Sequence, residues 1–449
     1  MMAQCGSINP RTLAFNILYK VSEDKAYSNI AVNTMLKESG LSGLDSAFVS
    51  AIVYGVLEKQ ITIDYIIRQY SNLPMRKIEI KTLIILRMGI YQMLFMDKVP
   101  DSAAVNESVK IAKKKGLMKS CGFINAVLRN FVRADKKYSL PPENERVKYL
   151  SVKYSCPESL ISQWLDAYGY DVTVDMLKSL EGRPPVTVKV NTLKITLEEL
   201  IKIFEEEGVK AERNLIPQSL NIKFLGSIEN LKSFKEGYFH VQDGAGTLCA
   251  LTANPKRGDV VYDICSAPGG KAFSMAEIME NKGELYCFDL YEHKLRLIEK
   301  GAKRLGLNII KTAVRNGANP QNKEEKPADV ILCDVPCSGT GILRRKPEIR
   351  YKDNQYDENL TDIQYKILSE SAKLLKEGGK LVYSTCTLNP LENTNVVKRF
   401  LEENKNFSGK ALELPKDIKR TIKEEEYEIT LFPQTNGTDG FYIALLQKG

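Results

Sequence analysis

Four short apolar runs in the C-terminal half of the chain, DVVYDIC, ELYCFDL, ADVILCD and KLVYSTC, break off in aspartate, cysteine or hydroxyl residues. Helical patterns such as HKLRLIEKGAKRLG and DIQYKILSESAKLLKEG separate them. Strands buried on both faces read as continuous apolar runs, and strand–helix alternation at this spacing predicts a doubly wound, mostly parallel sheet. In such sheets ligands gather beyond the carboxyl ends of the strands, so the polar residues that end the runs form one candidate site. At the chain's end, EITLFPQ and FYIALLQ around TNGTDG predict a hairpin that adds an antiparallel edge.

The first run ends Asp263-Ile264-Cys265-Ser266-Ala267-Pro268-Gly269-Gly270-Lys271 and enters the helical AFSMAEIM. Its glycines let backbone pass close to a ligand, and the helix start behind them offers free amides. It is not GxGxxG, which argues against a dinucleotide enzyme. Asp289 closes the second run, where a carboxylate can accept from a ribose diol. The last two runs deliver Asp334-Val335-Pro336-Cys337-Ser338-Gly339-Thr340-Gly341 and Ser384-Thr385-Cys386-Thr387, one cysteine each.

Histidine chemistry lacks material, because only His240 and His293 exist. Nine cysteines, including Cys5, form no CxxC pair, which fits free thiols in a reducing compartment and no metal site. Cysteine and carboxylate must carry any catalysis.

The N-terminal third reads differently. Asn9-Pro10 before RTLAFNILYKV is a helix start, and FVSAIVYGVLEKQITIDYIIRQY, KIEIKTLIILRMGIYQMLFM, SAAVNESVKIAKKKG and FINAVLRNFVRA continue with helical spacing. The most apolar stretch, TLIILRMGIYQMLFM, contains Arg87 and is shorter than the roughly 20 residues of a membrane helix. Residues 1–135 hold 18 Lys/Arg against 11 Asp/Glu, whereas the rest holds 46 against 45. A basic module on a near-neutral one fits polyanion binding or a merely basic solvated surface. Lys113-Lys114-Lys115 would serve a helix C-terminus, a phosphate contact, or both. KKYSLPPENERVKYLSVKYSCPESLISQW reads as a linker into a helix around Trp164, and VTVKVNTLK, TLEELIKIFEEEG, NIKFLG and YFHVQDGA as a small α+β module.

The phrases VYGVLEKQ, LRMGIYQMLFMDKVPDSAAVNESVKIAK and GFINAVLRN resemble the NusB family of RNA-binding, transcription-antitermination domains over most of residues 5 to 135. The four strand ends, in their order, resemble the S-adenosylmethionine-dependent RNA cytosine-5 methyltransferases. With the NusB-like head, nearly the whole chain is similar to the bacterial 16S ribosomal RNA members of that family. The expected architecture is multidomain: an all-α NusB-like domain over 1–138, a small α+β RNA-binding or linker domain over 139–235, and an α/β Rossmann-like methyltransferase domain over 236–449.

That reaction accounts for the residue types. Carbon 5 of cytosine is too weak a nucleophile to take a sulfonium methyl, so a thiolate first adds to carbon 6 and makes the ring enamine-like. On residue chemistry either thiol could attack. The resemblance implies Cys386 as nucleophile, Cys337 as the helper in release, and Asp334 against the base and near the methyl of the cofactor, S-adenosyl-L-methionine. It also implies Cys265, Ser266, Ala267, Pro268, Gly269, Gly270 and Lys271 at the methionine and ribose side, and Asp289 at the ribose hydroxyls. Asn316, after the third strand in IIKTAVRNGAN, stands where the family usually has an adenine-contacting Asp, and its carbonyl could still accept from the adenine amino group.

Arg344, Arg345 and Lys346 would grip the RNA backbone or form a solvated loop. The target is expected in a single-stranded or looped part of 16S ribosomal RNA, since a paired base must be extruded first. The resemblance implies the cytosine at position 967. A transfer RNA substrate, or a non-catalytic RNA-binding factor with a vestigial sheet domain, are the competing readings. A cytoplasmic monomer with no DNA or membrane partner is expected.

Overall fold

The structure, a computed structural model, describes residues 8–24, 27–41, 43–224, 226–319, 326–351 and 358–449. Cys5 lies outside them, and the described cysteines are all free thiols. The chain packs into two compact units. One comprises residues up to Gly182 and a stretch beginning at Leu343; the other runs from Arg183 to Ile342 and resumes beyond that stretch to Gly449.

The first unit is helical. Asn9 Oδ1 accepts from the amides of Arg11 (2.9 Å) and Thr12 (3.2 Å), capping helix Pro10–Asp24 as its sequence predicts. The apolar stretch becomes helix Ile80–Phe95, buried on most sides. Its Arg87 is bonded through two nitrogens to Asp64, each at 2.7 Å, which is what makes a charge tolerable inside the bundle. No helix among the described residues is long and apolar enough to cross a membrane. Lys113 and Lys114 close helix Asp101–Lys114, beside the negative end of its dipole.

The expected linker is partly helical. Arg146–Tyr154 precedes Glu158–Ser179, and Leu150, Val152, Leu160 and Trp164 are buried. Packing therefore places one boundary at Gly182/Arg183, and the three-way division at 138/139 and 235/236 stands as a proposal about folding units. The stretch after Ile342 is anchored within the helical unit. Glu348 accepts from the Ser28 amide (3.0 Å) and hydroxyl (2.7 Å), Arg350 Nη1 donates to the Glu58 carbonyl at 2.6 Å, and Tyr351 donates to the Leu57 carbonyl at 2.7 Å. Arg344, Arg345 and Lys346 are half-buried rather than a freely solvated loop, and Lys346 lies 4.9 Å from the Tyr27 ring centre.

The second unit begins with β1 (Val186–Val190), β2 (Lys210–Arg213), β3 (Ser219–Lys223) and β4 (Phe239–Val241). They form an antiparallel sheet in the order β2-β3-β1-β4, with helix Leu197–Glu206 between β1 and β2 and Lys232–Lys235 before β4. Thr196 and Glu199 make a reciprocal capping box on the first of these helices. Strand β2, KAER, is an exposed charged edge with no apolar alternation to betray it.

The larger sheet contains β5 (Val260–Asp263), β6 (Glu284–Asp289), β7 (Ile310–Val314), β8 (Ala328–Asp334), β9 (Leu375–Thr385), β10 (Phe407–Gly409), β11 (Glu428–Leu431) and β12 (Phe441–Lys448). The order β7-β6-β5-β8-β9 is parallel throughout, and β12 adds antiparallel to β9, carrying β10 and β11. Val261, Val330, Val382 and Ile443 pack into one core, whereas Tyr262, Ile331, Tyr383 and Tyr442 pack into another. Covered faces on both sides explain the unbroken apolar runs. The strand order reverses between β5 and β8, and there the carboxyl ends open a crevice.

Candidate active site

The crevice at this reversal is a cleft of about 220 Å³. It brings together Cys265, Ser266, Ala267, Pro268, Gly270 and Lys271 from the turn after β5, Asp334 from the end of β8, and Cys386 just beyond β9. Gly269, Asp289, Asn316 and Cys337 do not line it. Gly269 shapes it instead: its φ of +107° is a glycine conformation, and a Cβ there would meet the Phe273 ring at 2.7 Å. Asp289 ends the neighbouring β6, accepts from the Tyr291 amide at 3.1 Å and pairs with Lys294 at 3.5 Å. Asn316 is exposed past β7, with its carbonyl accepting from the Ala318 amide at 3.0 Å.

Three polar groups in the cleft have no partner within the protein: both oxygens of Asp263, Ser266 Oγ and Gln242 Nε2. Asp263 is 1% exposed; burial, and then the charge of Asp334, push its pKa up to about 7. Unmet donors and acceptors on a buried wall match a small ligand carrying both an ammonium and a carboxylate, as the methionine part of S-adenosylmethionine does.

Asp334 is held from two sides. Lys271 Nζ donates to its Oδ2 at 2.7 Å and Ser384 Oγ to its Oδ1 at 2.8 Å. Burial alone would lower the pKa of the Lys271 ammonium, but the Asp334 carboxylate outweighs it and holds it above the ordinary lysine value. Lys271 therefore faces Asp334 and also lies 5.2 Å from the centre of the Phe441 ring.

The two half-buried cysteines meet. Cys337 Sγ and Cys386 Sγ are 3.3 Å apart, a thiol contact rather than a bond. Backbone contacts lock their loops together: the Gly341 amide donates to the Cys386 carbonyl at 3.0 Å and the Gly440 amide to the Gly341 carbonyl at 2.9 Å. A Cβ on Gly341 would sit 1.9 Å from the Gly440 oxygen, so only glycine allows this approach.

Asp263, the polar end of the first apolar run, lines the cleft too, and so do Gln242, Asp243, Ile342, Asp439 and Phe441, which were not singled out from sequence. The available signals for the latter were the turn-forming HVQDGAG and TDGFY flanking buried elements. Asp243 Oδ1 joins the two turns by accepting from the Ala245 and Asp439 amides, both at 3.0 Å.

Residues 250–447 match a family described as 16S rRNA methyltransferase RsmB/F, residues 8–133 the NusB family, and residues 156–229 the RsmF/B-like ferredoxin-like domain. The chain is 35% identical over 443 residues to the probable ribosomal RNA small subunit methyltransferase B of Bacillus subtilis (strain 168), covering 98% of each. A protein of the same name from Synechocystis sp. (strain PCC 6803) is 32% identical over 447 residues, covering 98% of this chain and 100% of that one. The solved structure named PH0851 superposes with a TM-score of 0.83 at 27% identity, over 99% of this chain and 100% of that one.

Proposed function

Because the chain belongs to the RsmB/F family of 16S rRNA methyltransferases, we propose that it methylates carbon 5 of one cytosine in 16S ribosomal RNA through a covalent adduct with Cys386. The target is an unpaired or looped cytosine, position 967 by family resemblance. The observation that carries this reading is the pair of thiols 3.3 Å apart beyond the ends of adjacent strands, with Cys386 and Asp334 both lining the cleft.

S-adenosylmethionine supplies the electrophilic methyl. Cys265 to Lys271, Asp263 and Asp289 would hold it, with the Asp263 carboxylate and the free Gln242 amide suited to its ammonium and carboxylate. Cys386 adds as thiolate to carbon 6 and makes carbon 5 nucleophilic. Asp334 holds the ring-nitrogen and amino edge of the base. The Lys271 ammonium behind it offsets the electron density that reaches that edge. Cys337, at hydrogen-bond distance, assists expulsion of Cys386 after methylation. The basic NusB-like unit contributes RNA affinity through phosphate contacts. A non-catalytic role leaves the orphaned polar groups and the thiol pair without a purpose.

Incubation with cofactor and unmodified 16S RNA, followed by mass-spectrometric mapping, is expected to yield 5-methylcytosine at one position. Absence of methylation in any RNA, under conditions where cofactor binds, would overturn the reading. Cys386→Ala is expected to lose turnover and form no adduct, whereas Cys337→Ala accumulates a covalent protein–RNA adduct. The opposite pattern would exchange the two roles.

A further inference from the structure

Behind the thiol pair lies a buried carboxylate that the proposed mechanism does not use. Glu392 is 2% exposed. Its oxygens accept four hydrogen bonds, from the Ser338 amide (2.9 Å), Ser338 Oγ (2.6 Å), Gln364 Nε2 (3.0 Å) and Asn389 Nδ2 (2.9 Å). All four donors are neutral, and no lysine or arginine pairs with it among the described residues. Four hydrogen bonds offset part of the cost of burying a carboxylate that has no counterion, and leave its negative charge in place beside the thiols.

The network is centred on the two cysteines. Ser338 follows Cys337, and its hydroxyl also meets Thr387 Oγ1 at 2.7 Å, the residue after Cys386. Thr340 Oγ1 meets the same Thr387 oxygen at 2.8 Å. Gln364 donates from the same amide to the Pro336 carbonyl at 2.9 Å, so the backbone is held on both sides of Cys337. The Tyr383 hydroxyl donates to the Glu392 carbonyl at 2.6 Å and ties the carboxylate's own backbone to β9.

We propose that Glu392 is the positioning residue that gives the two thiols their different roles. Through Ser338 it fixes Cys337 against Cys386 as the proton donor for release, and its uncompensated charge leaves Cys386 as the thiol that attacks. This rests on the covalent mechanism proposed above. In release, the carbon 5 proton passes to water, its electron pair forms the carbon 5–carbon 6 double bond, and the carbon 6–sulfur bond breaks. The departing Cys386 sulfur takes the proton of Cys337. Proton return across the 3.3 Å contact then restores the starting pair. Contact with Cys386 and burial, and then the charges of Glu392 and Asp334, hold the Cys337 thiol well above the ordinary cysteine range, consistent with a donor that stays protonated.

The test is Glu392→Gln, which keeps size and removes charge. Limiting iodoacetamide with mass-spectrometric readout is expected to label Cys386 ahead of Cys337 in the native protein, and in the variant that ratio falls by about fivefold or more. With cofactor and unmodified 16S RNA, the variant accumulates roughly tenfold more covalent adduct while cofactor affinity stays within about twofold. Ser338→Ala removes the hydroxyl half of the link to Cys337, leaves the backbone amide bond and keeps the charge; about threefold more adduct with an unchanged labelling ratio is expected. Native labelling and adduct levels in Glu392→Gln, or adduct, turnover and cofactor binding falling together, would overturn the proposal. Native adduct and turnover in Ser338→Ala would do so even if the Gln variant failed to fold. Failure of the covalent mechanism itself is distinguishable, because Cys337→Ala would then form no adduct.

Discussion

Asp263 and Glu392 are both buried carboxylates near the same group of strand ends, 1% and 2% exposed, yet their surroundings are opposite. Neither oxygen of Asp263 has a partner in the protein, whereas Glu392 accepts from four donors. A buried polar group left unmet marks where something from outside must arrive, and one that is saturated marks what the protein holds fixed. The turn after β5 is thus a wall waiting for a ligand. The loops after β8 and β9 form a frame already complete.

The contrast is broken most severely at the unmet end. Asp263→Asn is expected to weaken S-adenosylmethionine binding by about a hundredfold in calorimetric titration, because the ammonium loses its charged acceptor. The same variant should raise the melting temperature of the cofactor-free protein at pH 8, where the native carboxylate is charged and unpaired. If binding is unchanged, the methionine end lies elsewhere. At the saturated end, Glu392→Ala removes the acceptor of four hydrogen bonds and is expected to destabilise folding by about 2 kcal/mol in denaturant titration, with cofactor affinity nearly intact. A loss of cofactor affinity matching that at Asp263 would erase the distinction.

A smaller effect follows from titration. The folded-state pKa of Asp263, raised to about 7 from 3.8, means that the native protein binds more protons than the unfolded chain between those values. This group's contribution therefore makes the cofactor-free protein less stable as pH rises from about 4 to about 7, and is flat above. Cofactor binding runs the other way, strengthening roughly threefold to tenfold from pH 6 to pH 8 as the carboxylate ionises; Asp263→Asn should flatten that profile. The smallest change is expected at Asn316→Asp, within about threefold in cofactor affinity, since this exposed side chain already accepts a local amide.

The strand ends were legible because each closes an apolar run: Asp334, Cys337 and Cys386, which the structure brings near one another, could be named before any geometry. The NusB-like helices were legible from their period, and Asn9-Pro10 from its cap chemistry. Strand β2 was not, because an exposed edge strand carries no hydrophobic signal. Helix Arg146–Tyr154 was hidden between proline-rich turns, where a short buried face leaves little periodicity. Gln242, Asp439 and Phe441 reach the cleft from elements far apart in the chain, so no local pattern announces them.

Residue type and spacing determined the doubly wound sheet and the gathering of thiols and carboxylates at its strand ends, since these follow from local periodicity and from which reactive groups the chain contains. They left the two thiols interchangeable. Tertiary structure decided that Lys271 turns to Asp334, that Asp263 is left unmet, and that a glutamate six residues past Cys386 clamps the loop of Cys337. Those outcomes depend on which donors burial brings within hydrogen-bond distance and which charges it strips of water, and neither is a property of any one stretch of chain.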